Sequence, residues 1–130
     1  MYKRQGEHLV VLGDFNDGPG LDEYEKLFGK SGVEIVLGGD GDVQLFDPNA
    51  AALHKDGPVR ASARFWLQDQ KRWMETLLDY VMVSPSLVER ASDWRIWHPV
   101  DDAKIAAVPE LVEALFTASD HFPVTVELDI

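Results

Sequence analysis

The chain has no cysteine among its 130 residues. A disulfide framework, a thiolate nucleophile and a thiolate zinc site are therefore excluded together. Long apolar runs are missing as well. Met1 to His8 is polar, and the run Leu9 to Leu12 is too short for a signal-peptide core or a bilayer span. The chain reads as soluble, with its compartment open because any leader would lie upstream. Basic residues are scarce, 12 Lys and Arg against 23 Asp and Glu, for a net charge of −11. Such a surface repels polyanions at long range and argues against electrostatic capture of nucleic acid by this segment. Either the partner is small or basic residues lie elsewhere. There is no internal repeat, and turn-rich sequence is confined to one stretch.

What is present fits one ordinary globular domain, with 45% hydrophobic and 27% charged residues. His8 to Gly13 is an apolar run closed by glycine, as in a strand buried on both faces that opens into the loop Asp14 to Gly20. Leu21 to Lys30 carries Leu21, Tyr24, Leu27 and Phe28 at helical spacing, with acids early and Lys30 late, which suits the helix dipole. Val33 to Leu37 reads as a second strand. Gly38 to Asp42 and Asp47 to Pro58 read as a long irregular connection. Ala63 to Leu67 and Leu77 to Val83 are β-prone runs that bracket the polar Gln68 to Arg72 and are expected to be neighbouring strands. Trp94 to Trp97 alternates, Val108 to Phe116 has helical spacing, and Val124 to Leu128 alternates again. The order β, α, β, long loop, β, β, β, α, β predicts an α/β layered sandwich.

Polar clusters stand where buried strands end: Gly13-Asp-Phe-Asn16, Leu78-Asp-Tyr80 and Ser119-Asp-His121. Taken singly, each has a structural explanation as a turn, a cap or a paired acid. Asp79 asks for more, because it interrupts an apolar run and a buried carboxylate costs several kcal/mol unless paired. A histidine would suit, since a carboxylate fixes the imidazole's orientation and favours its protonated form.

The Gly-Asp-Phe-Asn tetrad after a strand, the Leu-Asp-Tyr-Val strand and the Ser-Asp-His-Phe-Pro-Val sequence before a last strand resemble, in that order, the three C-terminal motifs of the endonuclease/exonuclease/phosphatase family. The resemblance covers Leu9 to Leu128. It implies that residues 1–130 are the C-terminal portion of one such domain, its N-terminal half absent, within a four-layered α/β sandwich whose mixed β-sheet is flanked by helices. It implies a divalent-metal-dependent phosphoesterase that hydrolyses a P–O bond by direct attack of water. Asp14 then matches the aspartate that positions or deprotonates the water, and Asn16 the asparagine that helps hold the water, the phosphate or a second cation. Asp120 matches a ligand for Mg²⁺ or Mn²⁺, with Asp14 and Asn16 beside it. His121 matches the histidine on the scissile phosphate, and Asp79 the carboxylate that orients it. An Asp/Asn/Asp set without cysteine suits a hard cation. The family's early asparagine and its principal metal-binding glutamate have no counterpart ahead of Gly13. The substrate expected is a phosphate ester: nucleic acid, nucleotide, phospholipid or inositol phosphate. The alternative is a non-catalytic binding or scaffold module, inactive as an isolated chain, with self-association through exposed sheet surface.

Other patterns are weaker. Asp14, Asn16, Asp22 and Glu25 have EF-hand-like spacing, but Gly18 and Pro19 stand where an oxygen ligand and the turn glycine belong. Asp40-Gly-Asp42 is read as a turn. His8, His54 and His98 lack partners at ligand spacing and are assigned surface or packing roles. Trp66, Trp73, Trp94 and Trp97 are assigned to the core rather than to stacking on a base or sugar. Arg60, Arg64, Lys71 and Arg72 flank the third strand and could face phosphate, but are read as a solvated strand edge.

Overall fold

A computed structural model describes residues 7–15, 32–38, 44–51 and 60–130. The helix expected over Leu21 to Lys30, the later EF-hand positions, Asp40 to Asp42, Asn16 and His54 lie outside the described residues. Along the chain run β1 (Val10–Asp14), α1 (Gly32–Leu37), α2 (Pro48–Ala51), β2 (Ala63–Leu67), β3 (Arg72–Thr76), β4 (Asp79–Val83), α3 (Pro85–Val88), β5 (Ala91–Ile96), α4 (Ala103–Ala106), α5 (Pro109–Ala118) and β6 (Val124–Leu128). Strands and helices mix as an α/β class requires, and every strand pairing among the described residues is antiparallel.

The core is built on β4, whose residues Tyr80 to Val83 are all buried. Val33, Leu45, Ala50, Leu77 and Ile96 pack with Tyr80 and Met82 in one cluster. On one side β4 pairs with β1, from Val10 opposite Val83 to Asp14 opposite Asp79. On the other, Phe46 exchanges two backbone hydrogen bonds with Val83, at 2.7 and 2.9 Å. One step further along this edge, Val81 N–H donates to Asp47 Oδ2 at 3.1 Å. A side-chain carboxylate thus takes the place of a neighbouring strand, which satisfies a backbone donor that burial would otherwise orphan. The other oxygen of Asp47 accepts from Asn49 N–H and Ala50 N–H at 2.8 and 3.4 Å, fixing the start of α2. Asp47 is 2% exposed, and its burial raises the carboxyl pKa above the ordinary range despite the three backbone donors.

Several expectations are corrected. Val33 to Leu37 is helical, not a strand. Val33, Val36 and Leu37 stand at i, i+3 and i+4, and all three pack on the core while Ile35 is 60% exposed. β-branched composition suggested a strand, but the 3.6-residue period decides the outcome. β1 is not buried on both faces: Leu12 is 66% exposed. The expected irregular connection contains α2, nucleated by Asp47. Ala63 to Leu67 is not hydrogen-bonded to the Leu77 run; β2 instead forms a hairpin with β3, Ala63 opposite Thr76 and Leu67 opposite Arg72. The polar residues 68–71 are its turn, closed by Lys71 at φ 50°. A third pair, β5 with β6, is irregular between Ser92 and Arg95, where Asp93 adopts φ 49°. No helix among the described residues is long and apolar enough to cross a membrane.

Candidate functional site

The site forms where β1 ends and β4 begins. Gly13, inside β1 and immediately before Asp14, adopts φ +146°, a backbone region that L side chains rarely enter. Asp14 lies directly opposite Asp79 in the antiparallel register. Opposed residues of such a pair project on one face, so two carboxylates stand side by side, an arrangement that repels unless a cation joins it.

His121 is the group set against both carboxylates. Beyond α5 the chain runs extended at Ser119 and is stitched against the start of β2. Arg64 N–H donates to Asp120 O at 2.8 Å, Phe122 N–H donates to Ser62 O at 2.7 Å, and Ala63 and His121 form an isolated bridge. Phe122 is 3% exposed and anchors the segment against the rings of His98 and Phe116. His121 Nδ1–H then donates to Asp79 Oδ2 at 2.8 Å. Its Nε2 faces Asp14 Oδ2 at 3.8 Å and Asp120 Oδ1 at 3.9 Å. The hydrogen bond to Asp79 raises the imidazole pKa above its usual value, against desolvation, and the negative charges of Asp79, Asp14 and Asp120 add to the rise.

Ser62, which no sequence pattern singled out, is the organiser of this cluster. It is fully buried. Its hydroxyl donates to Asp79 Oδ2 at 2.7 Å and accepts from Leu78 N–H and Asp79 N–H, both at 3.0 Å. Its own N–H donates to Thr76 O at 3.0 Å. Through its hydroxyl and its backbone together, this one residue ties the end of β3, the start of β4 and the 120–122 segment to the Asp79 carboxylate. The only cue in the sequence was a hydroxyl residue set between Ala61 and Ala63 before a strand, a pattern too common to stand out.

Of the residues expected at the site, Asp14, Asp79, Asp120 and His121 converge, and Asn16 lies outside the described residues. The chain matches the model of the endonuclease/exonuclease/phosphatase family over residues 1–121. It belongs to that family. Comparisons with curated proteins and with solved structures gave no match. Membership assigns a phosphoesterase- or nuclease-type function in general terms, in a family that generally depends on a divalent metal.

Ligand atoms of Asp14, Asp79 and His121 all lie within 4.8 Å of one another. Chemistry divides the three. His121 Nδ1 is committed to Asp79, which leaves Nε2 as the nitrogen that faces Asp14 and Asp120. Asp79 Oδ2 is engaged by both Ser62 and His121. The more exposed carboxylates, Asp14 at 47% and Asp120 at 64%, are hard oxygen donors that fit Mg²⁺ or Mn²⁺.

The remaining candidates separate cleanly. His98 is 3% exposed; its Nδ1 accepts from Val100 N–H and Asp101 N–H, so its proton sits on Nε2 and faces Glu75 at 3.1 Å. It is a packing residue. His8 bonds Ser86 on the surface at 2.9 Å. The core assignment fails for two tryptophans: Trp66 is 45% and Trp73 53% exposed, because the β2–β3 hairpin offers one face to solvent. Trp94 and Trp97 are half-buried. Arg64 is no solvated edge residue either, since its guanidinium lies 4.3 Å from the Trp73 ring centroid.

Proposed function

We propose that this chain supplies one side of a divalent-metal-dependent phosphoesterase site that hydrolyses a P–O bond by direct attack of water. The observation that carries this reading is His121, held at 2.8 Å by Asp79 with its other nitrogen turned toward Asp14 and Asp120. An imidazole whose pKa is raised above its usual value, with one N–H fixed by a carboxylate, is a preorganised donor to a non-bridging phosphate oxygen. Asp79 and Ser62 orient it and cost no reorganisation when charge develops. Asp14, exposed at the strand end, orients the attacking water or takes its proton, with Asn16 beside it in sequence. Asp120, with Asp14 and Asn16, would hold Mg²⁺ or Mn²⁺, and the bound ion would neutralise phosphate charge and acidify water.

We also propose that residues 1–130 are the C-terminal portion of one four-layered domain, whose remaining metal carboxylate comes from sequence ahead of Met1. The support is the donor set: Asp79 is committed to His121, and the more exposed carboxylates beside it are Asp14 and Asp120, fewer than the carboxylates such a metal site usually draws on. On this reading the isolated chain is a scaffold with little activity of its own. The test assays residues 1–130, alone and extended by the upstream coding segment, on DNA, nucleotides and a chromogenic phosphodiester. Expected is Mg²⁺-dependent, chelator-sensitive hydrolysis by the extended protein. Full activity in its Asp14→Asn variant would sink the assignment.

A further inference from the structure

One face of the β2–β3 hairpin carries Arg64, Trp66, Trp73 and Glu75, since Arg64 stands opposite Glu75 and Trp66 opposite Trp73 two residues on. With Phe116 of α5 this face walls a groove of about 470 Å³. That volume lies within the range of about 300–1,000 Å³ typical of small-molecule clefts. The groove is continuous with the site above: Asp120 and Ser119 line its rim, and Arg64 donates its backbone N–H to Asp120 O at 2.8 Å.

Its apolar wall consists of aromatic rings, with no aliphatic side chain in the lining. Trp66 meets Trp73 edge-on, 5.5 Å between centroids at 69°, and both indoles remain about half exposed. The Arg64 guanidinium is pinned between rings, 4.3 Å from the Trp73 centroid and 5.2 Å from that of Phe116. A contiguous, solvent-facing set of flat rings is unusual on a surface with this much charge.

We infer that the Trp66–Trp73–Arg64 groove is a ring-stacking subsite that takes the planar base of a small nucleoside phosphate while the phosphate reaches Asp120 and His121. The inference rests on the phosphoesterase reading and adds to it the group that selects the substrate. Stacking suits a base because every base presents a π face, and Arg64 reinforces it through its cation. An acyl chain would be matched by an aliphatic slot. A polyphosphorylated ring or a duplex would meet a chain of net charge −11. The ligand favoured is therefore the size of one nucleotide.

The experiment titrates the whole chain with adenosine 5′-monophosphate, ribose 5-phosphate and dodecyl phosphate, following the indole N–H signals of its tryptophans by NMR. The nucleotide is expected to shift the Trp66 and Trp73 signals and to bind about 5- to 150-fold more tightly than the sugar phosphate. Trp73→Ala should erase that preference, and Trp73→Phe, which keeps a ring, should retain most of it. Both positions are exposed, and dispersion of the remaining signals reports the fold. Equal affinity for nucleotide and sugar phosphate would overturn the inference, as would dodecyl phosphate binding in the groove in preference to the nucleotide. His121→Ala separates the two layers. If it weakens ribose 5-phosphate while the nucleotide has no advantage, the groove fails and the phosphate site stands; if it changes no probe, the phosphoesterase reading fails.

Discussion

Replacing Ser62 by alanine removes a single oxygen, yet the structure assigns that oxygen three hydrogen bonds, to Asp79 Oδ2 at 2.7 Å and from Leu78 N–H and Asp79 N–H at 3.0 Å. The side chain is fully buried, and the space a hydroxyl vacates is too small for a water. Two backbone donors are left unsatisfied at about 1–3 kcal/mol each, and a charge-assisted bond worth about 1.5–3 kcal/mol is lost. Because the two donors share one acceptor, the lower ends apply, giving a destabilisation of about 3–5 kcal/mol. That is a large part of the roughly 5–15 kcal/mol that holds a domain folded. Urea unfolding should show the midpoint fall at an unchanged m-value. A second readout separates this role from ordinary packing. Without Ser62, the negative charge of Asp79 is less compensated and pulls harder on His121, so the imidazole pKa should rise further in an NMR titration of Ser62→Ala. Ser62→Thr, which keeps the hydroxyl, should leave that titration near wild type. A loss below about 1 kcal/mol with an unmoved His121 would refute the reasoning.

Asp47→Asn should destabilise the fold by about 1–3 kcal/mol at pH 7, because the new amide presents a donor to Val81 N–H in place of an acceptor. Burial raises the folded-state pKa of Asp47 above its unfolded value of 3.8, so its contribution to stability is fully present below that value and is lost as pH rises through the folded pKa. The wild type should accordingly gain on Asp47→Asn as pH falls from 7 toward 4 in chemical unfolding; a shrinking gap would contradict the dominance of burial. Gly13→Ala should cost about 1–3 kcal/mol through backbone strain alone, since φ is +146° and a methyl group there meets nothing within 4 Å. Thermal unfolding that leaves the variant level with wild type would dismiss the strain. Leu12→Gln should reduce concentration-dependent self-association in sedimentation, given 66% exposure of an apolar side chain on β1; a wild-type chain that stays monomeric at all concentrations would remove the basis for it.

Much of the site was legible because its residues are chemically out of place. Asp79 stands against an apolar run, which required a partner, and His121 is that partner. Asp14 closes β1, and Asp120 stands two residues beyond the end of α5. Ser62 was illegible because its importance lies in what tertiary structure brings to it. Trp66 and Trp73 misled for a related reason: β-prone aromatic sequence fixes the hairpin but not which face is covered. Val33 to Leu37 carries a β-branched bias and a helical spacing in the same five residues, and the helical period prevails because it turns Val33, Val36 and Leu37 onto the core cluster. β3 gives no period-2 signal, since its alternation, Trp73 and Glu75 against Met74 and Thr76, mixes polar and apolar on both faces.

The central claim is that His121, oriented by Asp79, acts on a phosphate ester. It is tested most directly by the initial rate of Mg²⁺-dependent phosphodiester hydrolysis in the upstream-extended protein, wild type against a folded His121→Ala variant at equal concentration. Loss of one preorganised donor to the developing charge predicts a fall of about 10²–10³-fold. Rates equal within a factor of about two, beyond the reach of any such donor, would contradict it.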